Sequence, residues 1–389
     1  MKGLELPERT EDFTADPVEL FFDLAYVFAF SQLVGVLVHD PDWTGVGRAA
    51  LLFGLLWLPW QQLTWAANAV SGNGRRIRLI FLVATVISVP MAAATSSALG
   101  TGGPTFAISL ALIMVLGFVI QTLSAESGSG FQRAVLRWVA PNAAAIVVLV
   151  AGGFLDGGAR VFAWLVALVI VFGAMVAAGD GEWVIRSGHF AERHALIVIV
   201  ALGEVIVAIG LPVVEALADD ATPSARTLAA LVASGSFAAL LWWAYFDRPG
   251  PALEHRAESL VTDVERGRYV RDVYTWAHAL IVAGVILSAV ALEETALHPA
   301  DPVPLSIRLM LLAGLVLFLG AVSIAIWRAY RAMALERIVA MVLIAAVVLA
   351  GASWDGLYLI ASVVVLLGLM LVVEHVRLEK QDQQARAAG

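Results

Sequence analysis

Residues 160–178 read RVFAWLVALVIVFGAMVAA, and Arg160 is the only charged residue in this run. An α-helix needs about 20 consecutive apolar residues to cross the hydrocarbon core of a bilayer. Similar stretches fill most of the remaining chain. The sequence therefore predicts an all-α, polytopic integral membrane protein with about 12 transmembrane helices. The predicted spans are residues 18–38, 47–69, 77–98, 105–124, 133–151, 160–178, 194–213, 226–246, 272–292, 305–327, 336–352 and 354–375.

The composition excludes several classes of protein. Of the 389 residues, 60% are hydrophobic, whereas soluble domains contain about 45–50%. A net charge of −8 and the lack of a basic run argue against nucleic acid as a partner. The absence of cysteine excludes disulfides and iron–sulfur clusters, and both lysines, Lys2 and Lys380, lie outside the spans. We therefore predict no cofactor. Expected partners are membrane lipids and a small ion or solute, with a homo-oligomer left open.

Basic residues distinguish the two faces of the membrane. With the predicted spans, all but four of the 24 lysines and arginines fall on the side that holds the N-terminus. Loops rich in lysine and arginine stay in the cytoplasm. We therefore expect a multi-pass protein of the bacterial cytoplasmic (inner) membrane, with cytoplasmic tails at residues 1–16 and 377–389.

An even number of spans divides into two parallel six-helix repeats, residues 17–180 and 181–376. The second predicted helix ends with tryptophans and Asn68, and the eighth ends with tryptophans and Asp247. Interfacial aromatic belts would produce the same pattern, so both interpretations stay open. Transporters built from repeats bind their substrate where the repeats meet, so we expect a polar cluster between the halves.

The first predicted helix carries two acidic residues four positions apart, Glu19 and Asp23, which share a face. A carboxylate in the first turn stabilises the positive end of the helix dipole, so Glu19 is interpreted as a cap. Asp23 lies deeper, and a charged residue at the centre of a spanning helix costs about 2.5–3.5 kcal/mol on insertion scales. We expect Asp23, together with Tyr26, to bind an ion, a proton or a substrate.

The second predicted helix has a polar and aromatic stripe at helical spacing, made of Trp57, Gln61, Thr64, Trp65 and Asn68. Amide side chains in hydrocarbon need hydrogen-bond partners, so this face should point into the bundle. Gln61 and Asn68 are therefore candidates for binding water or substrate. A seam of hydrogen bonds between helices, with no further function, explains the stripe equally well.

The seventh predicted helix contains Glu204, about 18 Å into the membrane at 1.5 Å per residue. Such a deep acid is either a proton or cation site or a neutral side chain that ties helices together. His189, Glu192 and His194 precede it and offer donors for a metal, but they lack the spacing of a zinc helix. We interpret Glu192, Arg193 and His194 as structural or capping residues and predict no metal site.

The ninth predicted helix places Tyr274 and His278 on one face, near the cytoplasmic end. Histidine titrates near neutral pH and is common in proton relays. His278 matches the depth of Asp23, and Asn68 and Asp247 lie near the same side. We expect Tyr274, His278 and Asp247 to belong to the same polar cluster.

Three segments carry a family resemblance. They are ELFFDL at residues 19–24, GHFAERH at residues 188–194 with LGE at 202–204, and Tyr274 with His278. In these segments the chain resembles the bacterial low-temperature-requirement protein A family, whose name implies a role in growth in the cold and transfers no biochemical activity. The first helix is also faintly similar to the repeats of an endolysosomal cation-channel family, although Phe22-Asp23 lacks the serine of that motif. That similarity implies a six-plus-six layout and conduction of a cation or proton.

Three functions follow from these residues. The first is transport or conduction of a proton, a cation or a small solute through the polar cluster. An intramembrane enzyme acting on lipid or isoprenoid could use Asp23 and His278 with the group of His189, Glu192 and His194. A structural or sensory membrane protein needed in the cold would keep the same residues in a closed, dry interior.

Overall fold

The computed structural model describes residues 15–70, 74–125, 127–178, 183–216 and 222–388. Most of these residues lie in helices, and they contain no β-strand, only an isolated bridge between Pro302 and Asp355. The all-α prediction is therefore confirmed. The helices are α1 (Pro17–His39), α2 (Trp43–Asn68), α3 (Arg75–Ala94), α4 (Gly103–Ser124), α5 (Gly130–Gly153), α6 (Gly157–Ala178), α7 (Ser187–Ala216), α8 (Ala225–Phe246), α9 (Pro249–Glu258), α10 (Asp263–Val270), α11 (His278–Leu297), α12 (Leu305–Tyr330), α13 (Leu335–Ala350) and α14 (Gly356–Ala388), with a π-helical segment at Arg271–Ala277.

Ten continuous helical stretches in the described part of the chain are long and apolar enough to cross a membrane. They confirm the prediction of a multi-pass membrane protein. The stretches are Pro17–His39, Arg75–Ala94, Gly103–Ser124, Gly130–Gly153, Gly157–Ala178, Ser187–Glu215, Ala225–Glu258, Asp263–Leu297, Leu305–Tyr330 and Gly356–Gln381.

Two of the predicted spans fall on helices outside this set of ten. Span 47–69 coincides with α2, a helix of 26 residues that carries two glutamines, an asparagine and an internal proline. Span 336–352 coincides with α13, which has 16 residues. At 1.5 Å per residue such a helix is about 24 Å long, shorter than the roughly 30 Å hydrocarbon core. The count of 12 spans and the six-plus-six repeat therefore remain predictions.

The chain divides into two compact units. The first unit holds the described residues up to Val200 together with Leu253–Ala279. The second unit holds Ala201–Ala252 and the described residues from Leu280 onward. Helices α7, α9 and α11 each contribute residues to both units. This division reflects packing and does not address a sequence duplication, so the predicted halves 17–180 and 181–376 remain a prediction.

Helix α1 begins at a well-formed cap. Asp16 accepts a hydrogen bond from the backbone N–H of Val18 at 3.1 Å, and Pro17 occupies the first helical position. Glu19 Oε1 accepts in turn from the backbone N–H of Asp16 at 3.2 Å. This reciprocal arrangement is a capping box, which satisfies backbone donors that the helix itself cannot pair. It fixes the start of α1 and therefore the position of the acidic face that follows.

A π-helical segment, Arg271–Ala277, joins α10 to α11. The wider turn of a π-helix pairs residues five apart, and such segments recur at functional sites. His278 Nδ1 donates to the carbonyl of Val273, five residues earlier, at 2.9 Å. The segment thereby turns Tyr274, Thr275 and His278 toward positions that a regular α-helix would not give them.

Two close helix contacts depend on glycine. In the first unit, a Cβ at Gly117 on α4 would lie 2.5 Å from Cγ of Gln62 on α2. In the second unit, a Cβ at Gly284 on α11 would lie 2.5 Å from the carbonyl oxygen of Gly314 on α12. Small residues let helix backbones approach closely within membranes. The first contact brings Gln62 against α4, where it borders the cavity described below.

Candidate functional site

A buried ion pair joins α1 to α7. Arg193 Nη1 lies 2.7 Å from Asp23 Oδ2, and Arg193 Nη2 lies 2.9 Å from Asp23 Oδ1. Trp60 on α2 donates from Nε1 to Asp23 Oδ1 at 2.8 Å. All three side chains are at most 2% exposed. A bidentate pair is the strongest form of arginine–carboxylate contact, and burial makes each partner depend on the other.

Glu19 extends this ion pair into a network. Its Oε2 lies 3.1 Å from His189 Nε2 and 3.3 Å from Arg193 Nε. Arg193 therefore lies between two carboxylates on α1, and His189 contacts one of them. We call Glu19, Asp23, His189 and Arg193 the ion cluster. Glu19 combines the predicted cap with an ion pair. Arg193, interpreted from sequence as a structural or capping residue, is the central cation of this cluster.

A chain of hydrogen bonds runs beside the ion cluster. Trp65 Nε1 donates to Thr275 Oγ1 at 3.3 Å, and Thr275 Oγ1 donates to Gln61 Oε1 at 3.2 Å. Gln61 Nε2 lies 3.0 Å from His194 Nε2, and His194 Nδ1 lies 2.8 Å from the carbonyl oxygen of Phe190. We call Trp65, Thr275, Gln61 and His194 the relay.

The partners of His194 define its tautomer. A carbonyl oxygen only accepts, so Nδ1 carries a proton that it donates to Phe190. In the neutral ring, Nε2 is then an acceptor, and it accepts from the amide of Gln61. The amide is oriented in turn because its oxygen accepts from the hydroxyl of Thr275. Every bond in the relay therefore points the same way, from Trp65 toward His194.

Aromatic rings connect the relay to the ion cluster. The ring centroid of His194 lies 5.0 Å from that of Trp60, which bonds Asp23. It lies 5.1 Å from the ring of His278 and 5.2 Å from the ring of Tyr274. Tyr274 and His278 are stacked on each other with centroids 5.2 Å apart. The structure therefore brings together Asp23, Gln61, Tyr274 and His278, four of the predicted binding residues.

A cavity of about 450 Å³, counted with its open mouth, borders the relay in the first unit. Its walls include three tryptophans, three glutamines and two further polar side chains, namely Trp65, Trp138, Trp183, Gln61, Gln62, Gln121, Arg271 and Thr275. We call it the amide–tryptophan cavity.

Hydrogen bonds among the lining residues fix the orientation of two glutamine side chains of the cavity. Trp138 Nε1 donates to Gln62 Oε1 at 2.9 Å, and Gln62 Nε2 donates to Gln121 Oε1 at 3.2 Å. Gln121 is 1% exposed, and its Nε2 donates to no acceptor within the described residues. Sequence reasoning missed Gln62, Gln121, Trp138 and Trp183. A buried amide in an apolar helix such as α4 was the available signal for Gln121.

Other predicted residues have structural contacts in the first unit. Asn68 donates to the carbonyl of Val184 at 2.6 Å and accepts from the backbone N–H of Arg186 at 3.0 Å. It therefore holds the segment that precedes α7. Glu192 Oε2 accepts from the backbone N–H of Ala15 at 2.6 Å. Tyr26 is buried with its hydroxyl unpaired among the described residues.

Glu204 and Asp247 belong to the second unit. Glu204 is 1% exposed on α7 and lies eleven residues beyond Arg193, about 16 Å farther along the same helix. Asp247 is exposed and ends α8, where its backbone N–H donates to the carbonyl of Trp243 at 3.2 Å. The structure therefore places neither residue in the unit that holds the ion cluster and the relay.

The group of His189, Glu192 and His194 does not converge. Each side chain faces a different partner, namely Glu19, the backbone of Ala15 and Gln61. Within the ranges that the structure describes, no three or more histidine, aspartate or glutamate side chains could hold a metal ion together.

Comparisons with known proteins agree with the family resemblance. A family model described as "Bacterial low temperature requirement A protein (LtrA)" matches residues 14–372. The chain is also similar to "Uncharacterized protein RA0937" of Rhizobium meliloti (strain 1021), with 28% identity over 326 residues that cover 80% of this chain and 77% of that protein. No solved structure matches the chain. The family match spans both helices of the ion cluster, and this chain belongs to the bacterial low temperature requirement A family.

Proposed function

We propose that this protein is a transporter of the bacterial inner membrane that moves a small solute together with a proton, with both termini in the cytoplasm. The observation that carries this proposal is the contact between the amide–tryptophan cavity and His194. Gln61 and Thr275 line the cavity, and Gln61 bonds His194 directly. A solute site and a group that can bind a proton are therefore separated by one side chain.

Protonation of His194 would reverse two bonds of the relay, the one between Thr275 and Gln61 and the one between Gln61 and His194. An imidazolium has donors at both nitrogens, so Nε2 would face the donor of Gln61. Rotation of the amide removes this conflict by presenting Oε1 to His194 and Nε2 to Thr275. Thr275 Oγ1 then accepts from both Trp65 and Gln61, and its own proton turns toward the cavity. A proton on His194 thus adds a donor to the solute site, which links the two binding events.

The ion cluster and the aromatic rings hold His194 of the relay in place. Trp60 is bonded to Asp23 and packs against His194, so the cluster fixes one wall of the imidazole pocket. His278 and Tyr274 cover other faces, and Arg193 is the adjacent residue on α7. We assign Glu204, about 15 Å farther along α7 than His194, as a second proton site in the membrane.

Proton flux in proteoliposomes tests this function without knowledge of the solute. Vesicles loaded with the pH dye pyranine are exposed to an inward proton gradient and to a low-molecular-mass filtrate of bacterial lysate. We expect the filtrate to accelerate internal acidification in vesicles that contain the protein. Gln61→Leu should lose the acceleration, because the amide can no longer connect Thr275 to His194.

The matched control is Gln132→Leu, since Gln132 makes its hydrogen bond with the nearby backbone of Gly128 and does not line the cavity. This variant should transport like the wild-type protein. A wild-type response equal to that of empty vesicles would refute the proposed function. An unaltered response in Gln61→Leu would refute the role of the relay.

A further inference from the structure

The amide–tryptophan cavity offers hydrogen-bond donors beside tryptophan side chains. Trp65, Trp138 and Trp183 line it, and aromatic rings bind planar molecules by stacking. The Nε1 groups of all three tryptophans are already committed, to Thr275, Gln62 and the carbonyl of Ala178. The tryptophans therefore supply surface for stacking and no further polar recognition.

The cavity lining keeps several N–H groups that the described residues do not use. Gln121 Nε2 has no acceptor within the described residues, although its side chain is 1% exposed. Gln62 Nε2 uses one of its two protons on Gln121. A ligand that accepts hydrogen bonds here would bind donors that the described residues leave unused.

The charge of the cavity lining also favours a ligand that accepts hydrogen bonds. Arg271 is its one charged side chain among the described residues, and no aspartate or glutamate joins it there. Arg271 pairs with the adjacent Asp272 at 2.8 Å and keeps further donors in its guanidinium group. A cationic ligand would therefore meet a cation and several N–H groups, whereas an anionic or carbonyl oxygen would meet donors.

We propose that the amide–tryptophan cavity binds a small planar ring compound that carries acceptor oxygens, a carboxylate or a carbonyl. The proposal rests on the proposed function and specifies the class of its solute. Stacking on a tryptophan face holds the ring, and Gln62, Gln121 and Arg271 contact the oxygens. The chemistry is shared by water-soluble aromatic carboxylates and by membrane-soluble quinones, and binding measurements separate these two sources.

Calorimetric titration of the detergent-solubilised full chain tests the class directly. The probes are benzoate, the quinone menadione and the cation benzyltrimethylammonium, each titrated also into empty micelles. The chain contains no cysteine with which a quinone could react. We expect saturable binding of benzoate, of menadione or of both, and none of the cation. Benzoate alone indicates a water-soluble solute, and menadione alone indicates a membrane-soluble one.

Gln121→Glu provides a selective variant. A carboxylate at this position still accepts from Gln62 Nε2 but replaces the unused donor by a negative charge. Loss of one hydrogen bond to a charged group weakens binding by about tenfold or more. We expect at least this loss for benzoate and a smaller loss for menadione, whose carbonyl oxygens carry no charge. We expect no loss in Gln132→Glu, whose side chain lies outside the cavity.

Three outcomes would overturn the proposed class. They are binding of neither ring compound, binding of the cation as tightly as benzoate, and unchanged binding in Gln121→Glu when that variant elutes from size exclusion like the wild-type protein. The binding experiment and the flux experiment can fail independently, so they distinguish the proposed site from the proposed function. Selective binding without proton flux would refute the proposed function and leave the site in place, whereas filtrate-driven flux without binding would refute the site alone.

Discussion

Asp23→Asn should destabilise the protein far more than a similar change at an exposed ion pair. Asparagine keeps an oxygen that accepts from Trp60 Nε1, but it removes the charge that faces Arg193 in a bidentate pair. Removal of one partner from a buried ion pair costs about 3–5 kcal/mol. Arg193 and Asp23 are 0% and 2% exposed, so water cannot replace the lost partner.

The structure places the expected loss at the lower end of this range. Arg193 retains Glu19 at 3.3 Å as a counter-charge after the change. We therefore expect a loss of about 3 kcal/mol, or roughly 100-fold in the unfolding equilibrium. The double variant Glu19→Gln with Asp23→Asn leaves Arg193 without a carboxylate and should exceed the loss of the single variant.

Equilibrium unfolding in mixed micelles of dodecyl maltoside and dodecyl sulfate, followed by tryptophan fluorescence, measures these differences. Asp40→Asn is the control, because Asp40 pairs with Arg48 where the side chains are 37% and 48% exposed. Exposed pairs of this kind contribute about 0–1 kcal/mol. A loss for Asp23→Asn no larger than that for Asp40→Asn would refute the assignment of a buried, mutually dependent ion cluster.

Two further predictions use matched pairs of variants. Thr275→Val should cost about 1–3 kcal/mol, because it removes the hydroxyl that bonds both Trp65 and Gln61. Thr64→Val should be neutral or stabilising, since the Thr64 hydroxyl is buried without a partner in the described structure. The same unfolding assay compares the two threonine variants, and equal losses of stability would contradict the relay. Gly284→Ala should lose about 1–3 kcal/mol by overpacking against Gly314. Gly320→Ala meets open space and should not destabilise the protein; similar thermal unfolding of both glycine variants would contradict the close helix contact.

The sequence contains the charged residues of the ion cluster but does not show that they pair. Glu19 and Asp23 lie four residues apart on α1, and His189 and Arg193 lie four residues apart on α7. Two helices with complementary charges at the same spacing can pair side by side, which is the arrangement that the structure shows. One sequence does not say which helices pack together, so it indicates the cost of the buried acids and a structural or capping role for Arg193, but not their pairing.

The relay depends on local geometry that hydrophobic periodicity does not reveal. A regular helix groups Arg271, Tyr274 and His278 on one face, and this grouping underlies the sequence interpretation. The π-helical segment inserts a wider turn at this place and directs Thr275 toward Gln61 and Trp65. No residue pattern in the segment indicates a π-helix. Gln61 and His278 were therefore predicted as members of the polar cluster, whereas Thr275 was not.

The arginines that depart from the predicted charge asymmetry have local partners. Four arginines fall on the less basic side of the membrane in the predicted topology, which the positive-inside rule disfavours. The structure gives each of them a carboxylate or a backbone carbonyl within its own unit. The contacts are Arg48 with Asp40 at 2.5 Å, Arg160 with the carbonyl of Ala98 at 2.9 Å, Arg226 with Asp355 at 3.0 Å, and Arg308 with the carbonyl of Val348 at 2.7 Å.

Proton uptake upon ligand binding is the most direct test of the coupling between His194 and the cavity. Calorimetric titration of benzoate or menadione in buffers of different ionisation enthalpy gives the number of protons taken up per ligand bound. The relay predicts uptake of up to about one proton by the wild-type protein, and none by Gln61→Leu. Binding to the wild-type protein with no exchange of protons would contradict the coupling.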